Sequence, residues 1–394
     1  MKKQLFALLF IFSMSASYTV AQNRSIEFNH GTFSEILAQA KKENKMIYID
    51  CFTVWCGPCK WMAKNVFTND TVADFYNKNF INAKIDMEKG EGIELAKKYD
   101  IRAYPTMLYL SSDGTQLHRV CGSAPVKEFI KTGEAALSTE KQLATFSKNF
   151  NGGKVTATYA SNYFSMLENA CQSYNKEIGE YFKNVNEQDF HSAANWAIIY
   201  KYVGDYYSPV FQNFEKNKAV FAKLYSPDSV DYLINQVYNS GLYSSIQSKD
   251  MVVYEQLKTK LRDSKTKDAE KIIAQADIKL YQRSGDLDKY AKAASDFVSK
   301  YLMDSPNELN SYAWTFYEQI NDKAMLENAA TWAKKATQLD DNYPYNDTYA
   351  AVLYKLGKKN EAKEIAEKAI ELAKKSGDDS KETQELLVKI NALK

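Results

Sequence analysis

Two cysteines separated by two residues, directly behind a strand-like run, constrain this 394-residue chain more than any other feature. Met46-Ile47-Tyr48-Ile49-Asp50-Cys51-Phe52 is apolar, β-branched and aromatic except at Asp50, a composition that suits a buried strand of a parallel or mixed sheet. After a short bend comes Cys56-Gly57-Pro58-Cys59, and Trp61, Met62, Val66 and Phe67 then recur at helical spacing. A helix starting here puts Cys56 at its N-terminus, where free amides and the positive dipole end stabilise a thiolate over a thiol. Cys56 is then a nucleophile near neutral pH. Two intervening residues let the sulfurs meet across the first turn, so the pair can close and reopen a small ring. The alternatives are a structural disulfide or half of a zinc site. Zinc needs about two further Cys or His ligands at close spacing, and Cys51, Cys121, Cys171, His30, His118 and His191 are scattered singly.

Trp55-Cys56-Gly57-Pro58-Cys59-Lys60 is identical to the active-site motif of thioredoxins, and the chain resembles that family over about residues 28–137. Asp50 stands where the family keeps a buried acid, and Lys84, in Ala-Lys-Ile-Asp, resembles the lysine beside it. Tyr104-Pro105-Thr106 resembles the loop whose proline is cis, and Gly122 matches a glycine lining the substrate groove. The resemblance implies the thioredoxin fold and thiol–disulfide exchange, with no metal and no cofactor beyond the Cys56–Cys59 pair. It also implies roles. Cys56 attacks a substrate disulfide, Cys59 resolves the mixed disulfide, and Asp50, poorly solvated, takes the proton from Cys59. Trp55, Gly57, Pro58, Tyr104, Pro105 and Gly122 bind substrate, and Lys84 supports Asp50.

The first 21 residues carry Lys2 and Lys3, an apolar run from Leu5 to Phe12, then small residues ending in Ala21, the layout of a cleavable secretory signal. Its loss takes the formal charge from +2 to zero, so composition does not suggest a nucleic-acid partner. No later stretch is long and apolar enough to span a bilayer, and the expectation is a soluble periplasmic or extracellular chain. Five cysteines are too few and too odd in number for a disulfide scaffold. Cys56–Cys59 is the one clear bridge. Cys51 reads as inert core, Cys121 as a small buried apolar residue near the groove rather than its alternative, a third redox thiol, and Cys171 as isolated on a helix without a role.

Along residues 22–138 the patterns alternate: helix from Phe33, strand Met46–Phe52, the cysteine helix, a helix from Asp70, strand Phe80–Asp86, a helix from Ile93. A hairpin through Asp113-Gly114 and a helix Val126–Leu137 complete the run. This order is that of the thioredoxin fold. Over residues 139–394 strand-like alternation disappears and an all-α region is expected. Ala329 and Ala336 recur 33 residues on as Ala362 and Ala369, near the tetratricopeptide period of about 34, with the clearest repeats at 308–375. The fold class is therefore an α/β thioredoxin-like domain followed by an all-α, tetratricopeptide-like helical region.

The leading functional reading is an exported thiol–disulfide oxidoreductase that reduces or exchanges protein disulfides, its helical region binding substrate or a redox partner. An oxidising compartment supplies no soluble reductase, so a membrane thiol reductase is the expected electron donor. Two alternatives remain at this stage, a protein-binding scaffold with a thioredoxin-like recognition module, and a net oxidase or isomerase.

Overall fold

The computed structural model describes residues 24–393, so the expected signal segment 1–21 lies outside the described residues. Two compact units meet in sequence at Ile198 and Ile199.

The first unit is built on a five-stranded sheet. Its elements run β1 (Phe28–Asn29), α1 (Phe33–Glu43), β2 (Met46–Phe52), α2 (Gly57–Asn65), α3 (Asp70–Asn79), β3 (Phe80–Asp86), α4 (Gly92–Lys98), β4 (Thr106–Leu110), β5 (Gln116–Cys121) and α5 (Val126–Leu137). Strand order is β1-β3-β2-β4-β5. β3 runs parallel to β1 and β2, whereas β4 is antiparallel to both β2 and β5. The apolar run 46–52 thus becomes the central strand, as a segment buried on both faces must. β1 is too short to leave a periodic signal, and the sequence reading contains no counterpart to it.

Alternation along β2 and β4 separates two cores. Ile47, Ile49, Cys51, Leu108 and Leu110 meet Ile36 and Ala40 of α1 and Leu95 of α4. On the other face Tyr48, Met107 and Tyr109 meet Met62 of α2, Tyr76 of α3 and Phe129 of α5. Local signals set the helix ends. Thr32 and Glu35 form a reciprocal capping box at α1, which stops at Asn44 in the left-handed region.

The compact unit does not end at residue 138. α6 (Leu143–Asn151) and α7 (Ala157–Asn169) both contact β5, and the Leu143 N–H donates to Nδ1 of the buried His118 at 3.2 Å. β5 is an edge strand, and helices laid against it shelter polar groups that solvent or another chain would otherwise meet.

In the second unit every element is a helix. Pro306–Gln319, Lys323–Leu339, Tyr343–Lys355 and Lys359–Ser376 succeed one another through short links, and Ala329, Ala336, Ala362 and Ala369 are fully buried. Small side chains at these positions let neighbouring helices approach closely. The link before Lys359 turns at Gly357, whose φ of +77° suits glycine. An α/β unit with a mixed sheet, followed by a long helical region, is the expected fold class.

Candidate functional site

Cys56 is the N-cap of α2, and Pro58 lies in that helix's first turn. The Cys59 N–H donates to Cys56 Sγ at 3.1 Å, so the sulfur holds one of the amide donors that an N-terminus leaves free. Cys56 and Cys59 are joined as a disulfide with their Cα atoms 5.3 Å apart. The bond is well covered: Cys56 is 3% and Cys59 2% exposed. In this closed form the Cys56 sulfur lies against the first helical turn, in contact with the Cys59 amide. The rim is open, since Val54, Trp55, Gly57, Pro58 and Trp61 are exposed.

Asp50 shares the β2 face of Tyr48 and is 1% exposed. Neither of its carboxylate oxygens accepts a hydrogen bond. Lys84, which pairs with Asp50 in register on β3, brings Nζ to 3.2 Å from Oδ2 without hydrogen-bond geometry. Its ammonium also lies 4.9 Å from the Phe52 ring centre and 5.3 Å from that of Phe67, an aromatic surround that holds a cation in place. Burial pushes the Asp50 carboxyl up to about 6, the nearby Lys84 charge acting in the opposite sense. Such a group can exchange a proton near neutral pH. Cys51 points to the other core, is free and buried, and burial pushes its thiol far up.

The Tyr104–Pro105 bond is cis. The Gly122 N–H donates to the Pro105 carbonyl at 2.8 Å, and Gly122 sits at a φ of +91° with nothing within 4 Å of a would-be Cβ. Glycine is needed there for its backbone conformation rather than for space. Trp55 is fixed from two sides. Its Nε1 donates to both carboxylate oxygens of Glu88, at 3.1 and 3.0 Å, and its ring meets Tyr104 edge-on with centroids 6.1 Å apart.

Three residues with structural parts here carried no such role in the sequence reading. Glu88 is the first, as the acceptor of the Trp55 indole N–H. Arg119, 1% exposed, donates to the carbonyls of Tyr99 and Asp100 at 2.7 and 3.2 Å, tying β5 to the loop that leads to Pro105. The third case is a correction. Cys171 is not an isolated helical residue but follows α7 at a φ of 50° and forms a disulfide with Cys121, so Cys121 is not a free apolar filler. The folding of α7 back onto β5 makes that pairing, which spacing alone does not reveal. Among the described residues no three His, Cys, Asp or Glu side chains gather into a metal-binding group.

The thioredoxin family model matches residues 24–134. A chloroplastic thioredoxin Y of Oryza sativa subsp. japonica is 32% identical over 110 residues, 28% of this chain and 62% of the relative. An H-type thioredoxin of Oryza sativa subsp. indica is 34% identical over 98 residues, 24% of this chain and 72% of the relative. A solution structure described as a disulphide-isomerase of Bacteroides thetaiotaomicron is 45% identical, covering 30% of this chain and 99% of that one at a TM-score of 0.29. The chain thus spans less than two thirds of the first of these relatives, at 62% of its length.

Proposed function

The chain belongs to the thioredoxin family, and from that premise we propose that it is an exported thiol–disulfide oxidoreductase acting on protein disulfides. The observation that carries the reading is the Cys56–Cys59 disulfide at the tip of α2, with Cys56 Sγ accepting the Cys59 N–H. The same amide that holds the sulfur now is available to a thiolate after reduction. In the reduced state Cys56 attacks one sulfur of a substrate disulfide and the other leaves as a thiolate. Cys59 then attacks Cys56 Sγ, which restores the closed pair and frees the second substrate thiol. Two electrons pass from the dithiol to the substrate.

Asp50, with its raised pKa, takes the proton that Cys59 must lose. Lys84 tunes that acid. Gly57 and Pro58 shape the bend between the sulfurs, Trp55 and Tyr104 form an apolar rim, and the Pro105–Gly122 edge offers backbone to an extended substrate segment. The reaction is repeated only if the pair is recharged, and a membrane thiol reductase is the donor class suited to a periplasmic site. Residues 139–394, read as tetratricopeptide-like hairpins, position substrate or donor.

The test is reduction of a protein disulfide such as that of insulin by wild type and Cys56→Ser, together with capture of mixed disulfides on Cys59→Ser. Turnover in wild type alone and trapped partners on Cys59→Ser are expected. Equal, negligible turnover in both proteins with nothing trapped would sink the reading.

A further inference from the structure

The second disulfide lies at the substrate edge. Cys121 is the last residue of β5 and the Cα partner of Thr106, the residue after Pro105. Its neighbour Gly122 donates to the Pro105 carbonyl. The bond therefore fastens the residue next to the Pro105–Gly122 edge to the end of α7, 50 positions further along. Exposure divides the two disulfides. Cys56 and Cys59 are both buried, whereas Cys171 is exposed and Cys121 half-buried. A cleft of about 600 Å³ is lined in part by Arg102, Gln116 and the two residues that follow Cys171, Gln172 and Ser173. Cys171 is thus, as a residue, more open to an external thiolate than either cysteine of the buried pair, and exposed disulfides are the exchangeable ones.

We propose that Cys121–Cys171 is a thiol-exchangeable lock on the substrate edge: the intact bond holds that edge for a protein substrate, and a protein dithiol opens it. The part played by substrate rests on the oxidoreductase reading; the lock itself does not. A thiolate of the dithiol attacks Cys171 Sγ, the Cys121–Cys171 bond breaks, and Cys121 leaves as a thiolate that takes up a proton. The dithiol's second sulfur then attacks the mixed disulfide and frees Cys171. The dithiol is oxidised by two electrons and the lock reduced by two. The reduced Cys56–Cys59 pair of a second copy belongs to this chemical class. Opening removes the covalent tie between α7 and β5, and the hydrogen bond from Gly122 to Pro105 loses its anchor one residue away.

The deciding experiment uses the full chain carrying Cys56→Ser and Cys59→Ser, in which Cys121–Cys171 is the remaining disulfide. The protein is treated with dithiothreitol under native conditions, alkylated, and followed by mass spectrometry and by hydrogen exchange at the Gly122 amide. Both Cys121 and Cys171 should become labelled, and Gly122 should exchange at least tenfold faster in the opened form. A bond that stays closed in the native protein, or a Gly122 rate unchanged on opening, overturns the lock.

A second arm compares wild type with Cys171→Ser. Its KM for a protein disulfide should rise severalfold while kcat/KM for a small aromatic disulfide, too short to use the edge, holds. Equal KM values also overturn the proposal. A wild type inactive on both substrates would refute the oxidoreductase reading instead, leaving the exchange measurement to judge the lock.

Discussion

Lys84 Nζ stands 3.2 Å from Asp50 Oδ2, yet no hydrogen bond reaches either oxygen of that carboxylate. The relationship is lopsided, because the Lys84 side chain is 22% exposed and that of Asp50 1%. Burial wins over the neighbouring cation, and the acid sits at about 6 rather than at its ordinary 3.8. A carboxyl group raised in this way favours the folded state while protonated. Its contribution is fully present below the ordinary value and is lost as pH rises through about 6.

Asp50→Asn should remove that dependence. The stability of the variant relative to wild type should improve by about 2 to 3 kcal/mol between pH 4 and pH 8. Urea unfolding of the oxidised proteins at both values checks this, and parallel curves would mean that Asp50 is not raised.

Lys84→Met takes away the one charge that opposes burial. Asp50 should then ionise at higher pH, and the pH–rate profile for protein-disulfide reduction should move the same way, with turnover near pH 7 falling several-fold. A profile that stays in place would detach Lys84 from the proton-transfer step.

Reduced protein should show two classes of thiol within the α/β sheet and its helices. Cys56, at the N-terminus of α2, should react with iodoacetamide at least about a hundredfold faster than Cys51, whose buried thiol is held neutral. Time-resolved peptide mapping of the native, reduced chain provides the comparison; comparable rates would remove the basis for Cys56 as nucleophile.

Gly133→Ala sets local preference against packing. Within α5, alanine is favoured over glycine by about 1 kcal/mol. The added Cβ, however, would lie 2.6 Å from Phe75 Cε1 and 3.1 Å from the Tyr76 hydroxyl oxygen, and both rings are held in an aromatic cluster in which Tyr76 stacks on Phe129 at 4.2 Å. Overpacking of this kind costs about 1 to 3 kcal/mol. The expected net result is a lower Tm; a raised one would show that the cluster yields.

Cys121→Ser with Cys171→Ser tests what the second bond contributes to stability. A cross-link over 50 positions restricts the unfolded chain by an amount worth up to about 4 kcal/mol. Denaturant unfolding of the double variant should lose a large part of that, and an unchanged midpoint would leave the bond no share in stability.

Most of the site was legible because its signals are local. Asp50 interrupts an apolar strand, Cys56 precedes a helical pattern, and Asp113-Gly114 separates two strand-like runs; each is read within a few residues by backbone preference and alternation. Glu88 and Arg119 were not, since a carboxylate in a turn and an arginine in a strand carry no mark of the indole or the carbonyls they will meet. β1 was missed for a different reason: two residues make no period.

The sequence alone was enough for the order of strands and helices from α1 to α5, the cysteine pair at a helix tip and the alanine repeat of the helical region, because these depend on spacings of a few residues or on a regular recurrence. Tertiary structure decided the rest: that Cys171 returns to Cys121, that α6 and α7 join the first unit by covering β5, and that Asp50 is held near 6 by burial. Each of these is a meeting of segments far apart in the chain, and desolvation, cross-linking and edge protection exist only once such segments have met.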